Sequence, residues 1–171
     1  MNVLDLRGGA ICTTSGLLTA TGAVTVHDTT VTIVYALDGK IKTKTAITGG
    51  VTPTTDYNTG LAFPPLVGGA GVAGAYGHGC IVVWGLLWAD GSVKCMMGPH
   101  AELDANGNFK WDAPQFPPIP AGVVPFAYQV LKAGATASAT AIVFGTANWN
   151  ATGFTNVIQN VMFLPSRPQV A

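Results

Sequence analysis

The sequence predicts an all-β protein, an antiparallel sandwich or barrel built from hairpins with an extended N-terminal arm. Asp-Gly pairs stand between strand-like runs at Asp38-Gly39 and Asp90-Gly91, and such pairs are the strongest short-range hairpin signal. Polar content comes mainly from Thr, Ser and Asn, and Glu102 is the single glutamate. The Glu/Lys pairs at four-residue spacing that dress an exposed helix therefore cannot be written, whereas Thr and Val suit a pleated, half-buried surface. Glycine (22 residues) and proline (11 residues) supply turns between the apolar runs.

Taken in order, residues 1–22 alternate small polar and apolar types around Gly8-Gly9, Gly16 and Gly22, and read as an arm or edge segment. Residues 23–171 read as one β domain. A first strand signal begins at Val24. Val31 to Leu37 then leads through Asp38-Gly39 into Lys40 to Thr48, where Lys40, Lys42 and Lys44 alternate with apolar and Thr positions. That period of two places the lysines on a solvated strand face, which also discourages edge-to-edge aggregation.

Residues 49–78 are rich in Gly and Pro and almost uncharged, which predicts a long connection of the kind that often carries function. Gly79 to Ala89 is apolar at nearly every position, as in a strand covered on both faces. It turns at Asp90-Gly91 into Ser92 to Met97. A third hairpin runs from His100 to Trp111 around Asp104 to Gly107, and Pro114 to Pro120 follows as an extended proline-rich crossing. Val123 to Ala133, Ser138 to Gly145 and Phe154 to Leu164 complete the strand expectations, at the spacing of a sandwich or barrel.

Composition narrows function. Only 9% of the 171 residues are charged and the formal net charge is zero, against about 25% charged in an average soluble domain. A monomer with this surface would associate, so burial against copies of itself or in a larger particle is expected. Eight basic residues balanced by eight acids leave no electrostatic footprint for nucleic acid. The best apolar run, Cys80 to Ala89, is too short to span a bilayer. The N-terminal residues lack the basic-then-apolar signal pattern, so no membrane partner and no conventional secretion are expected.

Hidden chemistry finds little support. Gly69 to Gly74 spells Gly-x-Gly-x-x-Gly, yet Pro64 to Val67 before it is a poor strand and no room for a crossover helix follows. A loop, flexible or ordered at an interface, is the better reading, and no cofactor is expected. His78, Cys80, Cys95 and His100 are donors of the zinc-binding type, but a hairpin about Asp90-Gly91 carries Cys80 past Met97, so they do not converge and no metal is expected. The three cysteines are expected to be free, buried thiols. Asp56, Asp90, Glu102, Asp104 and Asp112 include turn residues, and no serine or cysteine sits in a nucleophile elbow. No catalytic residue is assigned, and the protein is not expected to be an enzyme. Trp84 and Trp88 share a face of the apolar strand and read as core or interface. Trp111 and Trp149 lie near turns, where a carbohydrate contact competes with interface anchoring.

The runs AELDANGNFKWDAPQFPPIPAGVVPFAYQVLKAG and AIVFGTANWNATGFTNVIQNVMFLPSRPQ, with YALDGKIKTKTAITGGVTPTTDYNTG upstream, resemble a recurring domain of tailed-bacteriophage virion proteins. The likeness spans residues 30–168. It implies a structural phage protein made in the host cytoplasm and carried on the outer surface of the virion. The leading expectation is a decoration or cement protein, a homotrimer that bridges and stabilises subunits of the major capsid protein. Its assembly contacts are then expected in the arm (Leu4, Leu6, Ile11) and in the Leu61 to Tyr76 loop (Phe63, Leu66, Tyr76). The alternative is a head-fibre or tail-fibre domain that recognises a host glycan through Trp111 or Trp149.

Overall fold

Both Asp-Gly pairs are reversal points in the chain, and the two hairpins they create anchor two different layers. A computed structural model describes residues 10–14, 18–19, 25–69, 76–110, 114–135, 137, 143–146 and 154–165. All strand pairings among them are antiparallel, and no helix occurs among them. The fold is all-β, as the sequence predicts, and its sheets are open and not closed into a barrel.

The first sheet has the order β1 (Ile11–Thr14), β4 (Ile33–Leu37), β5 (Lys40–Lys44). Asp38 and Gly39 both have positive φ, 49° and 74°. This is the left-handed pair that a two-residue turn needs to match strand twist. A small second sheet joins β2 (Leu18–Thr19), β3 (Val26–Thr29) and β6 (Gly50–Val51). The main sheet has the order β11 (Phe154–Asn160), β10 (Val123–Ala133), β7 (His78–Leu87), β8 (Val93–Met97), with β9 (Ala101–Glu102) also pairing β7.

The main sheet is covered on both faces, which explains why β7 reads as continuously apolar. Cys80, Val82, Trp84 and Leu86 point into one core with Ile33, Tyr35, Phe63, Leu66 and Phe144. Ile81 and Val83 point into a second core with Met96, Tyr128, Val130 and Leu164. The proline-rich crossing forms the lid of the second core through Phe116 and Ile119, and the Phe116 ring meets Tyr128 edge-on at 5.1 Å.

Pro125 sits inside the long strand β10, where a proline would normally break a sheet. The register shifts between Pro125 and Ala127, so that Pro125 faces Gly85 and Ala127 faces Trp84. This bulge absorbs the proline and turns both Phe126 and Ala127 into the first core. Gly85 is required beside it, because a Cβ there would lie 2.4 Å from Val123 Cγ1.

Several expectations are corrected. Of the three lysines of β5 expected on a solvated face, Lys40 is exposed, but Lys42 and Lys44 are not. Lys42 pairs with Tyr35 and Lys44 with Ile33, so both lie half-buried on the core side, while Ile41 is 70% exposed. Lys42 Nζ donates 2.6 Å to the Trp88 carbonyl and sits 4.5 Å above the Trp88 ring. The carbonyl and the ring face substitute for the water the ammonium gives up. Inward-pointing lysines on an edge strand still block pairing with another chain. Of the expected strand at Ser138 to Gly145, residues 138–142 lie outside the described residues, and Val143 to Thr146 form a turn.

Candidate functional site

Among the described residues, three carboxylates that could carry chemistry are absorbed by the architecture. Asp90 Oδ1 accepts the Ser92 amide at 2.8 Å, and the bonds from Ser92 hold its carboxyl below the usual range. Asp104 accepts the amides of Asn106 and Asn108, both at 2.8 Å; the Asn108 bond lowers its pKa most, outweighing desolvation, and the Asn106 bond adds to it. Asp56 accepts the Asn58 amide at 2.9 Å and fixes the turn through Leu61. Each of these carboxylates builds a turn around its own backbone.

Cys12, Cys80 and Cys95 are free and buried. Burial pushes the Cys80 thiol up to about 12. It also raises Cys95 well above its ordinary value, with Asp56 adding to the effect. Thiolate is the reactive form, so the folded protein should give no rapid reaction with a thiol reagent at pH 8 and three equivalents once unfolded in guanidinium; a fast equivalent in the native state would place a cysteine at the surface. His78 and His100 are near enough that His78 helps depress His100, after burial. No group of three metal-binding side chains gathers among the described residues.

What remains is surface. Ile41 (70% exposed), Val51 (80%), Leu61 (69%), Met162 (52%) and Phe163 (51%) are large apolar side chains facing solvent. A groove of about 490 Å³ lies at the tip of the β4–β5 hairpin, lined by Leu37, Ile119, Pro120, Val123 and Pro125 with Asp38 as its charged residue. The Met162 carbonyl accepts the Cys12 amide at 2.9 Å, and the Val161 amide donates to Phe126 at 2.9 Å. The segment carrying Met162 and Phe163 is thereby held between β1 and β10.

The expected contact residues are distributed unevenly. Leu4 and Leu6 lie outside the described residues. Ile11 begins β1 and pairs with Ala36, so this stretch is an edge strand of the first sheet. Phe63 and Leu66 are corrected: both are fully buried core residues, Phe63 packing edge-on against Phe144 at 4.8 Å. Three prolines and many glycines make residues 49–78 look like a loop, but its described residues are tied down by a Thr55–Ala62 bridge and by the bond from the His78 amide to Val67. Tyr76 is partly exposed. Trp111 and Trp149 lie outside the described residues. Trp84 is buried, and its Nε1 donates 2.9 Å to Gln129 Oε1.

Sequence reasoning missed Met162 and Phe163 as surface groups, and reached Leu61 only as the start of the Leu61 to Tyr76 contact loop. The signal available was weak, since each sits beside a residue of the same apolar type or beside a turn glycine. Comparison with known proteins gives no match to a family model, a curated protein or a solved structure.

Proposed function

We propose that the chain is a non-catalytic structural subunit of a tailed-phage virion, a decoration or cement protein that trimerises and bridges major capsid subunits on the outer surface of the head. The observation that carries this reading is the combination of a charge-poor sequence with five large apolar side chains left half or more exposed. Surfaces of this kind mark sites of association. The resemblance of residues 30–168 to phage virion proteins supplies the setting.

The pattern of the sheet edges supports association through side-chain patches. The β5 edge carries the inward lysines, and the outer side of β8 is engaged where the Tyr57 amide donates to the Cys95 carbonyl at 2.9 Å. Strand addition at those two edges is disfavoured, so contact falls to exposed apolar side chains, Leu61, Met162 and Phe163 among them. Removing apolar area from water at about 25 cal/mol per Å² is then the driving force.

The test is occupancy. Purified protein should run as a trimer by light scattering, bind heads stripped of it, and lose binding at least tenfold in a Leu61→Asp/Phe163→Asp variant whose melting temperature stays within a few degrees of the parent. Unchanged binding by that variant, or saturable binding to host glycans without binding to heads, would overturn the reading.

A further inference from the structure

Among the described residues, His27 is the buried histidine. It lies on β3, in the small second sheet, and is 3% exposed. Neither ring nitrogen has a hydrogen-bond partner, and the buried Thr52 hydroxyl also lacks one. The imidazole packs at 5.1 Å and 60° on the Trp84 ring of the main sheet. Behind it stands Gly50, opposite on β6; a Cβ there would lie 2.9 Å from His27 Nε2. The ring is therefore wedged between β6 and β7, at the seam where the second sheet meets the main one.

A neutral imidazole tolerates such a seat far better than an imidazolium. A cation there would be a desolvated charge with no acceptor for either N–H. Asp28, its neighbour on β3, is the charge that bears on it, and the Asp28 carboxylate is committed to the Gly49 amide. Among the described residues, the groups packed against the ring are the Trp84 indole and the Gly50 backbone, and neither carries a charge. Cys95, opposite Trp84, is a neutral thiol.

We propose that His27 is an acid-sensitive latch whose protonation releases the β3–β6 pair from the face of β7. The sign follows from linkage. Burial, opposed only in part by Asp28, lowers the His27 pKa in the closed state, whereas the open state titrates near the ordinary value of about 6.5. Above that pH both states are neutral and the latch holds fully. As pH falls below it the open state takes up a proton that the closed state refuses, and opening rises about tenfold per pH unit until the closed-state pKa is passed.

Hydrogen exchange on the full chain tests this, using the amides of Thr29 and Thr52, which donate to the Ile47 and Thr25 carbonyls across the small sheet. After correction for intrinsic rates, their protection should fall about fivefold between pH 6.5 and 5.5, while amides joining β7 to β10 keep theirs. His27→Gln should abolish the fall, and His100→Gln should retain it. Protection that does not change with pH, or a fall that persists in His27→Gln, would overturn the latch. Should His27→Gln fail to fold, the imidazole titration of the parent protein decides. An NMR pKa for His27 below 6.5 supports the latch, and a value at or above 6.5 refutes it.

Discussion

Replacing Trp84 by alanine is expected to destabilise the protein by about 3–5 kcal/mol through cavity formation alone. A further ~1–3 kcal/mol comes from the polar partner left behind. Trp84 is fully buried at the middle of β7, with His27 on one side of its ring and Phe144 at 5.7 Å on another. Its Nε1 donates to Gln129, whose Nε2 donates 2.6 Å to Asn156 on β11. One side chain thus ties three strands of the main sheet and the second sheet together. Since domains of this size are stable by only about 5–15 kcal/mol, the variant should be largely unfolded or melt far below the parent. Trp84→Phe separates the two effects, keeping most of the volume while leaving Gln129 without its donor, and should cost about 1–3 kcal/mol. Urea denaturation followed by circular dichroism measures both; a loss under about 1 kcal/mol for Trp84→Ala would mean that neighbouring side chains refill the space.

A comparable loss is expected from a single methyl group. Gly77 has φ +82°, and a Cβ there would fall 1.8 Å from the Ala133 carbonyl oxygen, at the point where β7 begins alongside the end of β10. Gly77→Ala combines a left-handed backbone penalty of about 1–2 kcal/mol with overpacking of about 1–3 kcal/mol. Gly107 is the internal control: its φ is +76° but a Cβ there would meet nothing within 4 Å. Gly107→Ala should therefore show only the backbone penalty. In thermal melts of a chain this long, each kcal/mol shifts the midpoint by about 2–4 °C, so the two alanine variants should be clearly resolved. Equal shifts would show that backbone conformation, and not the close approach to Ala133, governs both positions.

The parts of the fold legible in the sequence are those decided by local chemistry. Asp38-Gly39 specified its turn because both residues tolerate positive φ. Val123 to Ala133 was bounded correctly because Gly122 and Gly134 flank an apolar run. The double burial of β7 followed from its lack of polar alternation. The errors arose where a tertiary neighbour outweighed pattern. Alternation in β5 separated two faces correctly but gave no sign of which one met Trp88, and Lys42 lies half-buried where an aromatic ring and two carbonyls receive it, while Lys40 stays exposed. Phe63 and Leu66 were assigned to the surface because prolines and glycines around them resemble a free loop, although the hydrophobic groups themselves argued for the core. Among the candidate surface groups, Leu61, Met162 and Phe163 could not be separated from buried neighbours such as Leu164, because burial along an irregular segment follows no period.

The double cover of the main sheet also bears on how the protein can be divided. Its first face is closed largely by segments from the N-terminal half together with Phe144, and its second by the proline-rich crossing and the residues after β11. Neither half can therefore be cut away without stripping one side of β7 and β10 bare. The described part of the chain behaves as an indivisible unit: limited proteolysis within it should yield either intact protein or small peptides, with no stable half-length fragment between them.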